Sequence, residues 1–300
     1  MNILYFALGL VTTASSRLRV YKVAEALRNL GNHVDTKIAY ADVKVGDYDL
    51  IVVQKRQDMH RRMKAWIVQG IPIVFDIDDP TDKLPPYTLL TVGSRKLQEE
   101  YEGSFYIPDC LDISAVYLPK TEHQDKMRKV CWFGLACNLY HAEPVYDACC
   151  ELGLELVIVT DLYGVHDYPK WKHAVYIEWE LDTVDEIITH CDLVSCPYIF
   201  SGHWSKDWIQ AKGENRLLKS WALGMPAIGA SIPSYREHGL RYVAETKQEW
   251  VDDLSALQDK KLREKDAESG RLMVVNRLAD SVVGEWCEVF NQCIQRMKNA

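Results

Sequence analysis

Three hundred residues, 48% of them hydrophobic, can bury a substantial core and exceed what one core usually organises, so two domains are expected. The formal net charge of −8 divides unevenly: residues 1–127 hold 16 Lys+Arg against 17 Asp+Glu, and residues 128–300 hold 19 against 26. Neither half is a basic domain, which excludes general electrostatic affinity for nucleic acid but leaves room for a local basic patch.

The first half alternates short apolar runs with helical patterns. Residues 3–8 read as a buried strand, 9–16 as a Gly/Thr/Ser loop, and 17–30 as a helix whose apolar positions Leu18, Val20, Tyr21, Ala24, Leu27 and Leu30 keep helical spacing until Gly31 stops it. Strands are expected at 33–39, 50–53 and 72–75, with a helix at 58–69 closed by Gly70. A strand at 89–92, a helix at 94–101 and a short strand at 105–108 complete this half. The polar run 118–129 lacks periodicity and reads as a linker. A second alternation follows: strand 130–134, helix 141–152, strands 154–160 and 174–177, helix 182–190 and strand 193–196. Beyond residue 246 the chain reads as helices, the last spanning about 270–298. Short strands separated by helices imply two doubly wound parallel sheets.

The most specific stretch is residues 212–226, KGENRLLKSWALGMP. Lys212, Asn215, Arg216 and Lys219 open it, Leu217, Leu218, Trp221, Ala222 and Leu223 supply a buried stripe, and Gly224 is placed to end it before an apolar strand. A helix whose first turn carries Asn and basic side chains, beside the carboxyl end of a parallel sheet, is suited to a diphosphate, because free N–H groups and positive charge face the anion. This segment resembles the nucleotide-sugar-binding helix of GT-B glycosyltransferases of the family-4-like group. Residues 192–198 resemble the strand before that helix, and 233–237 the loop and helix after the next strand. The resemblance implies two Rossmann-like domains: residues 1–127 for the acceptor and 128–280 for the nucleotide sugar. It also implies an interdomain cleft and a C-terminal crossover helix, 281–300, packing back on the first domain. It implies sugar transfer from a nucleotide-diphosphate sugar, a UDP-sugar above others, with no cofactor.

In open α/β sheets ligands sit at the carboxyl ends of strands, so the loops there rank first. The loop at 9–17 resembles the Ser-x-Arg-x-Arg entry of the same family through Ser15, Ser16, Arg17 and Arg19, which could hold a phosphate or the acceptor; ordinary N-capping is the simpler reading. Asp76, Asp78 and Asp79 follow the strand at 72–75. Crowded carboxylates there could supply a base for an acceptor hydroxyl, bind a divalent ion, or cap a turn. The resemblance favours a site without metal. On the donor side, Gly134 and Asn138 follow one strand, Asp161 another, and Trp179 a third, where the resemblance suggests base recognition and packing suggests a core aromatic. His203, Trp204, Lys206 and Trp208 precede the phosphate helix. Lys219 departs from the family, which has a ribose-binding Glu there. Lysine cannot accept a hydrogen bond, so ribose recognition has moved, for instance to Glu214, or Lys219 adds charge toward phosphate.

The run 55–64, with Lys55 and Arg56 at its head, is a local basic cluster and reads either as a solvated helix face or as contact with an anionic acceptor: a glycan on a lipid, a membrane surface, or a modified base in DNA. Nine scattered cysteines without metal spacing fit buried thiols in a reduced, cytoplasmic protein. The apolar start lacks a basic leader region, and no run approaches the ~20 apolar residues of a membrane span. Competing functions on the same architecture are a sugar-nucleotide epimerase or hydrolase, and a non-enzymatic nucleotide-sugar or nucleic-acid binding protein.

Overall fold

A computed structural model describes residues 1–40, 43–112, 118–167, 171–200 and 205–299. The chain begins with strand β1 (Asn2–Phe6), helix α1 (Ala14–Ser16), a π turn over Arg17–Tyr21 and helix α2 (Lys22–Asn29), then β2 (His33–Lys37) and β3 (Leu50–Gln54). Helix α3 (His60–Val68), β4 (Ile73–Ile77), β5 (Leu89–Val92), α4 (Arg95–Glu100) and β6 (Phe105–Tyr106) follow. The second alternation comprises β7 (Lys129–Phe133), α5 (Glu143–Leu152), β8 (Glu155–Thr160), β9 (Ala174–Glu178), α6 (Val184–Thr189), β10 (Leu193–Cys196), α7 (Lys206–Gln210) and α8 (Asn215–Ala222). It closes with β11 (Ala227–Gly229), α9 (Pro233–Glu237), β12 (Tyr242–Val243), α10 (Lys247–Ala256), α11 (Lys260–Met273) and α12 (Ala279–Lys298).

The strands form two six-stranded, wholly parallel sheets, ordered β2-β1-β3-β4-β5-β6 and β12-β11-β10-β7-β8-β9. This is the α/β, doubly wound architecture read from the alternation. Contacts divide the chain into two units. The first holds Met1–Cys110, Ala211–Gly213 and Asn276–Ala300; the second holds Leu111–Gln210 and Glu214–Val275. The polar segment read as a linker therefore groups with the second unit from Leu111 onward, against a sequence boundary at 127.

Each sheet is covered on both faces, which is why its strands are apolar throughout rather than alternating. In the first unit one face packs on α2 and α12 and the other on α3. Trp286 of α12 lies edge-on to Tyr5 of β1 at 6.4 Å and beside Phe290 at 5.7 Å, all three fully or nearly fully buried. Truncating such an aromatic to Ala costs about 3–5 kcal/mol. The C-terminal helix is thus part of the first unit's core. It is shorter than expected, because a 3-10 turn at Val275–Arg277 separates it from α11.

Two glycines in the second unit answer to packing. Gly224 has φ +72°, open to glycine at little cost, and a Cβ there would strike the backbone of Lys120, whose N–H donates to Leu223 at 2.9 Å. The Gly-x-Pro turn therefore seats the segment around Lys120, whose Nζ also donates to the Cys191 carbonyl at 2.6 Å. Gly270, inside α11, lets that helix lie on the ring of Trp221 from α8; a Cβ would enter the indole.

Candidate functional site

In each sheet the strand order reverses beside its first strand, at β1/β3 and at β7/β10, and the loops leaving those strands are where such a fold binds ligands.

In the first unit the wide π turn admits four consecutive buried residues, Arg17 to Val20, where an α-helix would turn one of the two arginines outward. Arg19 runs into the interior. Its Nη2 donates to Asp76 Oδ1 at 2.6 Å and its Nε to Asp76 Oδ2 at 2.9 Å. Nη1 reaches Asp109 Oδ1 at 3.0 Å and the Ile107 carbonyl at 2.8 Å, while the guanidinium lies 5.6 Å from the Trp286 ring. Burial opposes the Arg19 charge, but Asp76 and Asp109 more than offset it and hold the pKa well above the ordinary value. Asp76 also accepts from Thr91 Oγ1 at 2.8 Å. With side chains 1% exposed on both sides, this pair belongs to the core. Arg19 and Asp76, read from sequence as acceptor ligand and catalytic carboxylate, are in contact with each other.

Beyond the end of β4 the other two aspartates form a second cluster. Lys55, just past β3, holds φ +52°, the one non-glycine with positive φ among the described residues. A side-chain-bearing residue in that region costs of order 1–3 kcal/mol, so the surrounding contacts over-determine it. Its Nζ pairs with Asp78 and, at 2.5 Å, with Asp79 Oδ2, while Lys212 Nζ meets Asp79 Oδ1 at 2.5 Å. The side chains are 16–29% exposed, with Asp78 Oδ1, the oxygen that faces Lys55, itself buried. Burial raises the Asp78 pKa, with Asp79 adding to the effect and Lys55 only partly countering it. Burial also acts on Asp79, but Lys55 and Lys212 outweigh it and bring its pKa down to about 2. One carboxylate is held ionised and its neighbour is made more basic.

Lys212 was expected in the first turn of the phosphate helix. That helix instead begins at Asn215 after Glu214, and Ala211–Gly213 belongs to the first unit, where Ala211 is buried and its carbonyl accepts from Ser94 Oγ at 2.8 Å. Of the remaining acceptor-side residues, Ser16 is buried and donates to Gln54 at 2.8 Å, and Arg17 donates to the Val11 and Thr12 carbonyls at 2.9 and 3.2 Å. Ser15 is half-buried. Arg56 pairs with Asp58 at 2.7 Å and donates to the Ile38 carbonyl at 2.6 Å. The exposed members of the basic run are His60, Arg61, Arg62 and Lys64, with Arg62 stacked 3.9 Å from the Tyr40 ring.

In the second unit Arg216, in the first turn of α8, lies over the ring of Tyr198 at 4.7 Å. Burial works against its charge, and the adjacent Tyr198, Tyr235 and Cys196 outweigh that and keep it a cation. Tyr198 follows β10. Against its ring stands His141, 5.1 Å away and fully buried at the end of the loop after β7. The Ile199 N–H donates to His141 Nδ1 at 3.0 Å, so the neutral ring carries its proton on Nε2. His141, Tyr198 and Arg216 therefore meet at the β7/β10 switch point. The loop after β7 is legible in the sequence as far as Asn138. His141 lies three residues further, inside a 3-10 turn (Ala136–Ala142) that gives no periodic signal.

The other donor-side residues are placed as follows. Lys219 is buried and pairs with Asp185 of α6 at 2.6 Å and Asp112 at 3.6 Å, so its ammonium faces carboxylates of its own unit. Glu214 is buried against His238 at 3.5 Å. Asp161 accepts from the Ala136 N–H at 2.7 Å, tying together the loops after β7 and β8. The Trp179 N–H donates to Thr160 at 2.8 Å and its ring packs partly buried on the core. Gly134 sits against the Trp132 ring, and Asn138 is half-buried. His203 and Trp204 lie outside the described residues. Among the described residues no group of His, Cys, Asp and Glu converges as a metal site, and no helix is long and apolar enough to cross a membrane.

No protein-family model matches the chain, and no curated protein sequence does. Solved structures do. Anabaena Alr3699/HepE, in complex with UDP, shares 13% identity over 97% of this chain and 100% of its own, with a TM-score of 0.68. The DNA-modifying β-glucosyltransferase of phage T4 shares 14% over 98% and 99%, with a TM-score of 0.60. Sucrose-phosphate synthase of Thermosynechococcus elongatus shares 11% over 97% and 99%, with a TM-score of 0.69. The fold is that of GT-B glycosyltransferases.

Proposed function

We propose that this protein is a glycosyltransferase that moves a sugar from a nucleoside-diphosphate sugar, a UDP-sugar above others, to an acceptor hydroxyl. The observation that carries the reading is Arg216: a guanidinium stacked on Tyr198 at the first turn of α8, at the switch point of the second sheet. Helix N–H groups and a fixed cation converge where a diphosphate would lie. The structures solved with UDP or characterised with uridine diphosphoglucose support the choice of nucleotide.

In this reading the C1–O bond of the donor breaks with its electrons going to the diphosphate, whose charge Arg216 and the α8 N-terminus stabilise. The acceptor oxygen bonds to C1 and gives its proton to a carboxylate base; within the first unit, Asp78 is the carboxylate that is both partly exposed and made more basic. Lys55, bridging Asp78 and Asp79, holds Asp78 in place. Lys219, paired with Asp185, and Glu214, set against His238, act within the second unit rather than as ribose ligands.

The test is a thermal-shift titration with nucleoside diphosphates, followed by release of nucleotide from the matching sugar donor. UDP should stabilise the protein by an amount that grows with the logarithm of its concentration, and Arg216→Ala should remove most of that shift. Equal response of the variant and the parent would take the diphosphate away from Arg216. Conversion of the donor with no acceptor present would point instead to an epimerase or hydrolase.

A further inference from the structure

The loop after β1 is built in an unusual way for one at a switch point. Its carbonyls and its first two N–H groups are tied inward. The Leu8 N–H donates to Gln54 Oε1 at 3.1 Å and the Gly9 N–H to Ser16 Oγ at 3.0 Å; the Gly9 carbonyl accepts from Tyr21 at 3.1 Å and the Leu10 carbonyl from Thr13 at 2.9 Å. The Val11 and Thr12 carbonyls accept from Arg17, a buried guanidinium. What the loop turns outward is mainly apolar: Leu8 is 42% exposed, Leu10 63% and Val11 41%, with Thr12 the exposed polar residue beside them. A loop meant to hold phosphate would keep its arginine available to the anion and its aliphatic side chains buried, the opposite of what is seen here. Holding three adjacent aliphatic side chains in water, on a backbone fixed by six hydrogen bonds, costs solvation that a ligand with an apolar surface would recover.

The neighbouring group fixes where that ligand would react. Gln54, which holds the loop, directly precedes Lys55, and Lys55 pairs with Asp78 and Asp79. β1, β3 and β4 are successive strands, so two strand spacings, roughly 10 Å, separate the loop from the aspartates.

We propose that Leu8, Leu10 and Val11 form an acceptor subsite for an apolar aglycone, so that the hydroxyl receiving the sugar is carried by an amphipathic molecule whose apolar body begins about 10 Å away. This rests on the glycosyltransferase reading above. It assigns to the loop the recognition that its serines and Arg17 were expected to provide by polar contact.

The experiment is methyl NMR on the full chain, Leu and Val labelled, saturated with UDP and titrated with octyl, phenyl and methyl β-D-glucopyranoside, the first kept below its micelle threshold. Octyl or phenyl glucoside should shift the Leu10 and Val11 methyls at concentrations at least tenfold lower than methyl glucoside does, and the stronger of the two tells an aliphatic from a planar aglycone. The methyls of Leu30 and Val68, exposed elsewhere on the same unit, are the internal control. The double variant Leu10→Ser, Val11→Ser should raise the required concentration tenfold or more while the thermal shift by UDP is retained. Equal response to all three glycosides, or shifts of Leu30 and Val68 matching those of Leu10 and Val11, would overturn the subsite. A normal UDP shift beside that negative result leaves the glycosyltransferase reading standing, whereas absence of any UDP shift removes that reading itself.

Discussion

Asp76 and Asp78 stand two residues apart, yet one is a core counter-ion and the other a candidate base. Asp76 is inside the β4 ladder, in register with Gln54 of β3 and Thr91 of β5, and its carboxylate is enclosed by Arg19 and Thr91. Asp78 lies past the last ladder residue, 19% exposed, with Lys55 as its counter-ion. The two share residue type and sign of partner and stand on the same short stretch of chain. What separates them is whether water and ligand can arrive, and that is set by where the ladder ends.

The clearest way to separate the two is to remove one charged partner from each pair. Arg19→Met leaves Asp76 and Asp109 buried without their counter-ion, which should cost about 3–5 kcal/mol and lower the melting temperature clearly. Asp78→Asn should leave the melting temperature near that of the parent and reduce turnover by about 10²- to 10⁴-fold, the usual worth of a general base. If Arg19→Met melted like the parent while Asp78→Asn unfolded, the two clusters would have to exchange roles. Arg216→Ala, in the second unit, should lower turnover by about 10²- to 10³-fold, comparable to losing one oxyanion-stabilising donor, with little change in fold because the residue is held mainly by an aromatic face.

A pH profile sharpens the contrast further. Because burial raises the Asp78 pKa, activity should fall as pH drops through a value above that of an ordinary aspartate, while Asp79 at about 2 stays ionised throughout. Lys55 lowers the Asp78 pKa, so Lys55→Met should move that acid limb upward. A limb that stays in place in Lys55→Met, or that reports an unshifted carboxylate in the parent, would assign the proton to another group.

Much of the fold was legible because its signal is local. Strands at 89–92 and 193–196 stand where the apolar runs put them, and Ser94 caps α4 as its position suggested, accepting from the Leu97 N–H at 3.2 Å. The final helix was misjudged for a physical reason: Gly270 resembles a helix boundary but is a packing notch for Trp221, and the true break at Val275–Arg277 contains neither Gly nor Pro. The site was legible only as a set of loops. Which aspartate is enclosed, that Lys219 faces Asp185, and that His141 stands behind Tyr198 all depend on partners 34 to 57 residues away, and no spacing rule carries that information.

The smallest effect tests whether the second cluster acts as a network. Lys212 and Asp79 are both partly exposed, so Lys212→Met should change stability at pH 7 by less than about 1 kcal/mol. The sign of its pH dependence is fixed. Asp79 has its pKa depressed to about 2 in the folded state, so the stability it contributes is full above its unfolded value near 4 and is lost as pH falls through 2. Removing Lys212 lets the folded pKa rise toward the unfolded one, and the gap between variant and parent should therefore close as pH falls from 4 to 2. Urea midpoints at pH 7, 4, 3 and 2 read this directly. A gap that is the same at pH 2 as at pH 7 would mean that Lys212 contributes through the packing of its aliphatic stem, and that Asp79 is held ionised by Lys55 alone.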